Sequence, residues 1–171
     1  RGFDTTLILG PTNLKIDEEI NLIKVETAEE MFKATQQSLP TDIAIFSAAV
    51  ADFKINKKNP NKIKKQDSLT INLEKNIDIL NYVSNHNSMR PKLVIGFAAE
   101  TTDLDKNAIS KLTSKNCDWI IANDVSKKNS GFESNYNEVT IYYKDSKNKK
   151  EKLTLKKKSE ISEEIVDKIT A

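Results

Sequence analysis

The stretch that decides the fold is IAIFSAAVAD, residues 43–52. Its first four residues are apolar without a break, a pattern typical of a strand that is covered on both faces, as in a parallel sheet. Three further runs, at residues 5–9, 93–97 and 119–122, are apolar or nearly so. We therefore expect a sheet whose central strands run parallel.

Helical segments separate these runs. Thr27 and Glu30 have the spacing of a capping box at the start of a helix that continues toward Leu39. Further helices are predicted at residues 76–86, from a Thr102 cap through Leu112, and at residues 159–169, and further strands at residues 22–25, 69–73, 139–143 and 153–155. We predict a single domain of α/β class: a Rossmann-like doubly wound, mostly parallel sheet with helices on both faces, to which the last two strands add an antiparallel hairpin near the C-terminus.

Composition argues against several classes of protein. The net charge of +2 gives no sign of nucleic-acid binding. The one cysteine and one histidine, Cys117 and His86, cannot form an internal disulfide or a Cys/His zinc site. No apolar run approaches the roughly 20 residues that a membrane span needs. We expect a cytoplasmic protein that binds neither nucleic acid nor membrane and has no metal site built from protein ligands.

Small and polar residues follow three of the predicted strands. Ser47 and three alanines precede Asp52, residues 96–101 read GFAAET, and residues 123–126 read NDVS. In open α/β sheets ligands bind beyond the carboxyl ends of the strands, so three such ends indicate one shared site. The alternative is a set of tight strand-to-helix junctions, with Asp52 as a helix cap and Phe97 in the core.

Lysines are placed where they could neutralise phosphates. Residues 53–66 are predicted to be irregular and contain six lysines and no acid, which suits an anion such as a triphosphate. Lys111 and Lys115 are four residues apart on a predicted helix, so both ammonium groups can reach one base carbonyl or phosphate. The alternative for both features is solvated surface charge.

Several catalytic motifs are missing from the sequence. It contains no G-x-S-x-G, no Walker A sequence and no G-x-G-x-x-G dinucleotide fingerprint. A hydrolase triad would need His86, which lies in a polar stretch. A glycine loop that cradles phosphates is therefore not encoded in these residues.

Four motifs together resemble a known family. The runs AAVADF (48–53), KIKK (62–65), GFAAET (96–101) and ANDVS (122–126) are similar, in order and spacing, to bacterial phosphopantothenoylcysteine synthetases. That family forms the C-terminal part of the bifunctional CoaBC or Dfp flavoproteins. The resemblance implies a ligase that activates 4′-phosphopantothenate with CTP as an acyl-cytidylate, then joins it to L-cysteine. It also implies Mg²⁺ and a homodimer, with FMN only in a separate decarboxylase domain.

The resemblance assigns roles to individual residues. Lys62 matches a catalytic lysine that turns over the acyl-cytidylate and also contacts nucleotide. The other positions matching nucleotide-binding residues of the family are Ser47, Ala48, Asp52, Ile77, Asp78, Ile79, Leu80, Phe97, Lys111 and Lys115. Ile77 stands where the family usually has proline, so we expect a less rigid turn there.

Segments that the family places before these motifs have no counterpart here. They are a glycine-rich segment and an Asn-x-Ser-Ser-Gly segment, so the resemblance implies an N-terminally truncated synthetase domain with impaired activity. Two alternatives stay open, an NAD(P)-dependent oxidoreductase and a non-catalytic, Rossmann-like nucleotide-binding module. Binding of NADH but not CTP would favour the first. An unaltered reaction after Lys62→Gln would favour the second.

Overall fold

The computed structural model describes residues 1–16, 20–56, 61, 64–65, 67–126, 134–145 and 150–171. In chain order the elements are β1 (Thr6–Leu9), β2 (Asn21–Lys24), α1 (Ala28–Gln37), β3 (Ile43–Phe46), β4 (Phe53–Ile55), β5 (Leu73–Lys75), α2 (Ile79–Ser84), β6 (Leu93–Glu100), α3 (Leu104–Lys115), β7 (Trp119–Asp124), β8 (Tyr136–Tyr143), β9 (Lys150–Lys157) and α4 (Lys158–Thr170). They form two compact units. The smaller comprises Arg1–Leu39 and Ala48–Ile79, and the larger comprises Pro40–Ser47 and Leu80–Ala171.

A five-stranded sheet organises the larger unit, in the order β3-β6-β7-β8-β9. The pairs β3/β6 and β6/β7 are parallel, whereas β7/β8 and β8/β9 are antiparallel. The prediction of parallel central strands with an added C-terminal hairpin is confirmed. Parallel neighbours need a crossover connection, which α3 provides between β6 and β7, whereas antiparallel neighbours can be joined by a short turn.

Both faces of this sheet are covered by helices, as predicted. On one face Ile95, Ile121 and Ile141 pack against Ile161 and Ile165 of α4. On the other face a second cluster combines Ala98, Ala108, Leu112, Cys117, Ile120, Ala122 and Tyr142 with the partly buried Leu80 and Leu104. Neighbouring residues of β6 and β7 belong to opposite clusters because side chains alternate along a strand. This double burial explains the unbroken apolar runs of β6 and β7. The other two runs depart from the expectation, because Ile45 of β3 is 48% exposed and β1 pairs with β2 in a separate sheet.

An ion pair joins the amino-terminal ends of β6 and β7. The Asp118 carboxylate accepts the Val94 backbone N–H at 2.7 Å, and the Arg90 guanidinium donates to its two oxygens at 2.9 and 3.0 Å. Arg90 Nε also donates to the Ser84 carbonyl oxygen, at 2.8 Å, at the end of α2. Charge-assisted bonds of this kind are stronger than neutral ones, so Asp118 and Arg90 together link the ends of α2, β6 and β7.

The first turn of α3 is attached to β8 and β9. The Tyr142 hydroxyl donates to one oxygen of Asp105, and Lys150 Nζ lies 2.8 Å from the other. The hydrogen bond from Lys150 lowers the pKa of the Asp105 carboxyl group, and burial raises the pKa of the Tyr142 hydroxyl. The predicted Thr102 cap is wrong, because the N-cap is Asp103, in the left-handed conformation with φ 49°. Aspartate tolerates that conformation better than most residues do.

The smaller unit contains two separate strand pairs. β1 and β2 are parallel, and α1 begins with the predicted capping box between Thr27 and Glu30. β4 and β5 are antiparallel. The strand predicted at residues 69–73 is therefore displaced, and Phe53–Ile55, predicted to be irregular, is a strand. The backbone hydrogen bonds between β4 and β5 determine where each strand begins and ends, because each is a strand only where the other lies opposite.

Gly96 lies where β6 is most tightly covered, and it gives a first prediction. A methyl group there would lie 2.7 Å from Leu80 Cδ2 and 2.8 Å from Ile120 Cδ1. Since overpacking strains a close-packed core, Gly96→Ala should lower the free energy of unfolding by about 1–3 kcal/mol, measured by urea denaturation. Gly10→Ala is the control, because its methyl group would meet only Met31 Cε, at 3.7 Å. Equal stability of the two variants would contradict the prediction.

Candidate functional site

The carboxyl ends of three strands in the larger unit reach one edge of its sheet. Glu100, the last residue of β6, pairs with Asp124, the last residue of β7, and the Val125 N–H donates to the Glu100 carbonyl oxygen at 3.0 Å. Phe46 at the end of β3 pairs with Gly96, so the exposed Ser47 follows at the same edge. Since Gly96 is four residues before Glu100, β3 stops short of the ends of β6 and β7 but on the same side of the sheet, the side where α/β sheets bind ligands.

Lys111 is held at this edge by an acidic residue. Its ammonium nitrogen lies 2.7 Å from Glu100 Oε1, and Asn107 Nδ2 donates to Glu100 Oε2 at 3.0 Å. The Glu100 side chain is 14% exposed, whereas that of Lys111 is 43% exposed. The cation is therefore fixed from its buried side and accessible from the solvent side.

Phe97 and Lys115 flank this ion pair in different ways. Alternation along β6 places Phe97 on the face that α4 covers, opposite the face of Glu100, and its ring remains 36% exposed. Lys115 is the last residue of α3, one turn after Lys111 and on the same side of the helix.

In the smaller unit a loop is tied to the residues that precede α2. Asn76 N donates to the Asp52 carbonyl oxygen at 2.8 Å, and Asn76 Nδ2 donates to the Ala51 carbonyl oxygen, also at 2.8 Å. The Asp52 side chain is exposed, as is Ala48. Two of the predicted nucleotide-binding segments, around Asp52 and around Ile77, are therefore neighbours.

The predicted segment from Ile77 to Leu80 has mixed exposure. Ile77 is 51% exposed, Asp78 is half-buried, and Ile79 is 5% exposed. Leu80 belongs to the larger unit, where it packs over Gly96. The side chains of Ile79 and Leu80 thus contribute to packing. Any contact that these two residues make with a ligand falls to their backbone atoms.

The predicted residues divide between the two units. Ala48, Asp52, Ile77, Asp78 and Ile79 belong to the smaller unit, and Ser47, Leu80, Phe97, Lys111 and Lys115 belong to the larger unit. Lys62 lies outside the described residues. The structure thus groups predicted residues within each unit, and their convergence on one cleft stays a prediction.

Two contacts of the predicted site residues were missed from the sequence. One is the tether that Asn76 makes to residues 51 and 52. The other is the pairing of Glu100 with Lys111 through a carboxylate that Asn107 also holds. The available signal was the spacing of Asn107 and Lys111. They are four positions apart, which brings their two donor groups to the same face of the helix.

Neither a protein-built metal site nor a membrane span is found in the described parts of the chain. Residues 1–16, 20–56, 61, 64–65, 67–126, 134–145 and 150–171 contain no group of three or more His, Cys, Asp or Glu side chains arranged to hold a metal ion. Among the same residues, no helix has the length and apolar character to cross a bilayer.

Comparison with known proteins points to one family. The sequence profile described as the DNA/pantothenate metabolism flavoprotein C-terminal domain matches residues 1–171. The chain is 40% identical, over 99% of its length, to the coenzyme A biosynthesis bifunctional protein CoaBC of Haemophilus influenzae, and 38% identical, over 98%, to that of Vibrio parahaemolyticus. It spans 42% of each of these relatives. The crystal structure of a CoaBC C-terminal domain superimposes with a TM-score of 0.77 at 33% identity, covering 97% of this chain and 72% of that one.

The Asn76 tether gives a second prediction. Asn76→Ala removes the side-chain hydrogen bond to Ala51 and costs about 1 kcal/mol locally, so amide hydrogen exchange at residues 51–55 should become roughly fivefold faster. Asn72→Ala is a matched control, because its link to Asn56 uses the Asn72 carbonyl oxygen, which the substitution keeps. Exchange that is unchanged in Asn76→Ala, or equally faster in both variants, would show that the side chain does not hold this loop.

Proposed function

The chain belongs to the family of DNA/pantothenate metabolism flavoprotein C-terminal domains, and on that premise we propose that residues 1–171 form a single phosphopantothenate–cysteine ligase domain. It joins 4′-phosphopantothenate to L-cysteine in coenzyme A biosynthesis, with CTP as the activating nucleotide. The observation that carries the proposal is the Lys111 ammonium group held by Glu100 at the carboxyl edge of β6 and β7.

The chemistry requires positioning and cations rather than an acid–base triad. A carboxylate oxygen of 4′-phosphopantothenate attacks the α-phosphorus of CTP, and pyrophosphate leaves. The cysteine amine then attacks the acyl carbon, the bond to CMP breaks, and the amide forms. Lysines suit the first step because ammonium groups stabilise charge on the departing pyrophosphate. Lys62 is the residue we assign to turnover of the acyl-cytidylate.

The remaining predicted residues bind nucleotide in this proposal. Ser47 and Ala48 contribute backbone groups at the end of β3, and Asp52 and Asp78 contribute carboxylates. The exposed part of the Phe97 ring can stack on a base. Lys111 and Lys115 provide cations one helical turn apart, and the resemblance of this pair to the CTP-using bacterial branch of the family supports CTP as the nucleotide.

Mg²⁺ is compatible with these residues. It keeps several waters and takes few protein ligands when it binds together with substrate phosphates. Among the predicted site residues that the structure describes, Asp52 has an exposed carboxylate, which suits an ion delivered with the triphosphate. Bound Mg²⁺ neutralises phosphate charge, a task that it would share with the lysines. A cytoplasmic location is part of this proposal, and the family's role in coenzyme A biosynthesis supports it.

A homodimer fits the apolar face of the β4–β5 ribbon. Phe53 and Ile55 are two positions apart on β4, so their side chains lie on one face. Ile55 pairs with Leu73, whose side chain lies on the same face. Phe53, Ile55 and Leu73 are 58%, 52% and 58% exposed. Ile71, which precedes β5, is 59% exposed. Lys54 and Glu74 form a salt bridge of 3.3 Å, which belongs to the opposite, polar face. A second copy of this chain offers a matching apolar face.

Lys62 supplies the test of the ligase activity. With CTP, 4′-phosphopantothenate and cysteine, the intact protein should release pyrophosphate and CMP in equal amounts. Lys62→Gln should still release about one pyrophosphate per site but form the amide product at least roughly 100-fold more slowly, because activation proceeds and turnover stalls. Quenched-flow measurement of pyrophosphate and product separates the two steps.

Asp42→Asn is the control for a change of one charge, because Asp42 pairs with Lys92 in an exposed salt bridge at the other end of β3. It should keep full turnover. Calorimetric titration with CTP, ATP and NADH separates the alternatives. Binding of NADH without CTP would replace the ligase with an oxidoreductase, and nucleotide binding without pyrophosphate release would leave a binding module.

The dimer gives a further prediction. Phe53→Glu places a charge in the apolar face of the ribbon and should weaken dimerisation roughly 30-fold or more, measured by light scattering over a dilution series. Glu74→Gln alters the polar face of the same ribbon and should leave the dimer intact. A monomeric parent protein, or a Phe53→Glu variant that remains dimeric, would refute this interface.

A further inference from the structure

We propose that Glu100 is a positioning residue for nucleotide binding, which acts by holding the Lys111 ammonium group in its binding geometry. The inference rests on the proposed function, because it concerns the same sheet edge. It adds a role for an acidic side chain next to a substrate that is itself highly negative. Such an acid requires a reason, because on charge alone it opposes triphosphate binding.

The contacts of Glu100 are those of a fixed support. One carboxylate oxygen lies 2.7 Å from Lys111 Nζ and the other accepts Asn107 Nδ2 at 3.0 Å. Asn107 Nδ2 also lies 3.0 Å from the Thr102 carbonyl oxygen, which follows β6. The carboxylate is thus held on both oxygens, and its own mobility is restricted before any ligand arrives.

Lys111 gains from this support. A lysine has four rotatable carbon–carbon bonds and loses much conformational freedom when it binds a ligand. Here the ammonium group is already placed, and one of its three N–H groups is used by Glu100. The side chain is 43% exposed, so solvent and ligands have access to it. Prior ordering of this kind lowers the cost of binding.

A purely structural role is the competing explanation. α3 is, however, attached to the sheet by other contacts, the buried Ala108 and Leu112 and the hydrogen bond between Asp105 and Tyr142. An ion pair with one half-exposed partner adds little to such an interface. The Glu100–Lys111 pair is therefore not needed to hold α3 against the sheet. Its remaining role is to position the Lys111 ammonium group.

The test is a double-mutant cycle on CTP affinity. Glu100→Gln removes the charge and replaces one of the two carboxylate oxygens by an NH₂ donor, so Lys111 and Asn107 cannot both keep their present acceptor atoms. We expect Glu100→Gln to weaken CTP binding about fivefold, the size expected when one side chain must be ordered on binding. In a Lys111→Ala background the same substitution should change the affinity less than about twofold, because the group it positions is gone.

Asp42→Asn again serves as the matched control. It removes an acid from the exposed ion pair in which Lys92 Nζ lies 2.8 Å from Asp42 Oδ1, at the opposite end of the sheet. It should change CTP affinity less than about twofold. Tighter CTP binding by Glu100→Gln would overturn the proposal, because Glu100 would then act only as an opposing charge. An equal loss in the Lys111→Ala background would overturn it as well, because the effect would not pass through Lys111.

A measurement without nucleotide separates this inference from the proposed function. The order parameter of the Lys111 ammonium group, from ¹⁵N relaxation, should be high in the parent protein and fall in Glu100→Gln, with no change in Asp42→Asn. A parent protein that binds no CTP would refute the proposed ligase. A Lys111 ammonium group that is equally mobile with and without Glu100 would refute the positioning role, whatever the nucleotide result.

Discussion

Asp118 holds the amino-terminal ends of β6 and β7 together, and the geometry of the opposite end follows from that contact. Its carboxylate binds the Val94 N–H and the Arg90 guanidinium. Once the two strands start in fixed register, they also end in fixed register, with Glu100 opposite Asp124. The clamp at one edge of the sheet therefore determines which side chains meet at the other edge, six residue pairs away.

The sheet and its coverings follow from the sequence because they depend on local pattern. Runs such as residues 119–122 have no polar face, so they must be covered on both sides. The capping box at Thr27 is local in the same sense, since the four residues from Thr27 to Glu30 contain the whole signal. The larger unit was predictable because its strands satisfy these simple rules.

The errors arise where distant contacts decide the outcome. Residues 69–73 alternate like a strand, but β5 begins only at Leu73, where β4 supplies ladder partners. Thr102 has a capping residue's chemistry, but the chain turns at Asp103 instead. The site shows the same division. The sequence singled out Lys111 as a helical lysine able to bind an anion, whereas the carboxylate that holds it depends on how α3 packs against β6.

Cys117 has a consequence of a different kind. It is the one thiol among 171 residues, it is fully buried, and it lies in the α3-side cluster 3.7 Å from the position of a methyl group on Gly96. Because a thiol reagent reaches a buried sulfur only when the surrounding layer opens, its alkylation rate reports that opening directly. Cys117 is thus an intrinsic probe of transient opening of the core, and no added label is required.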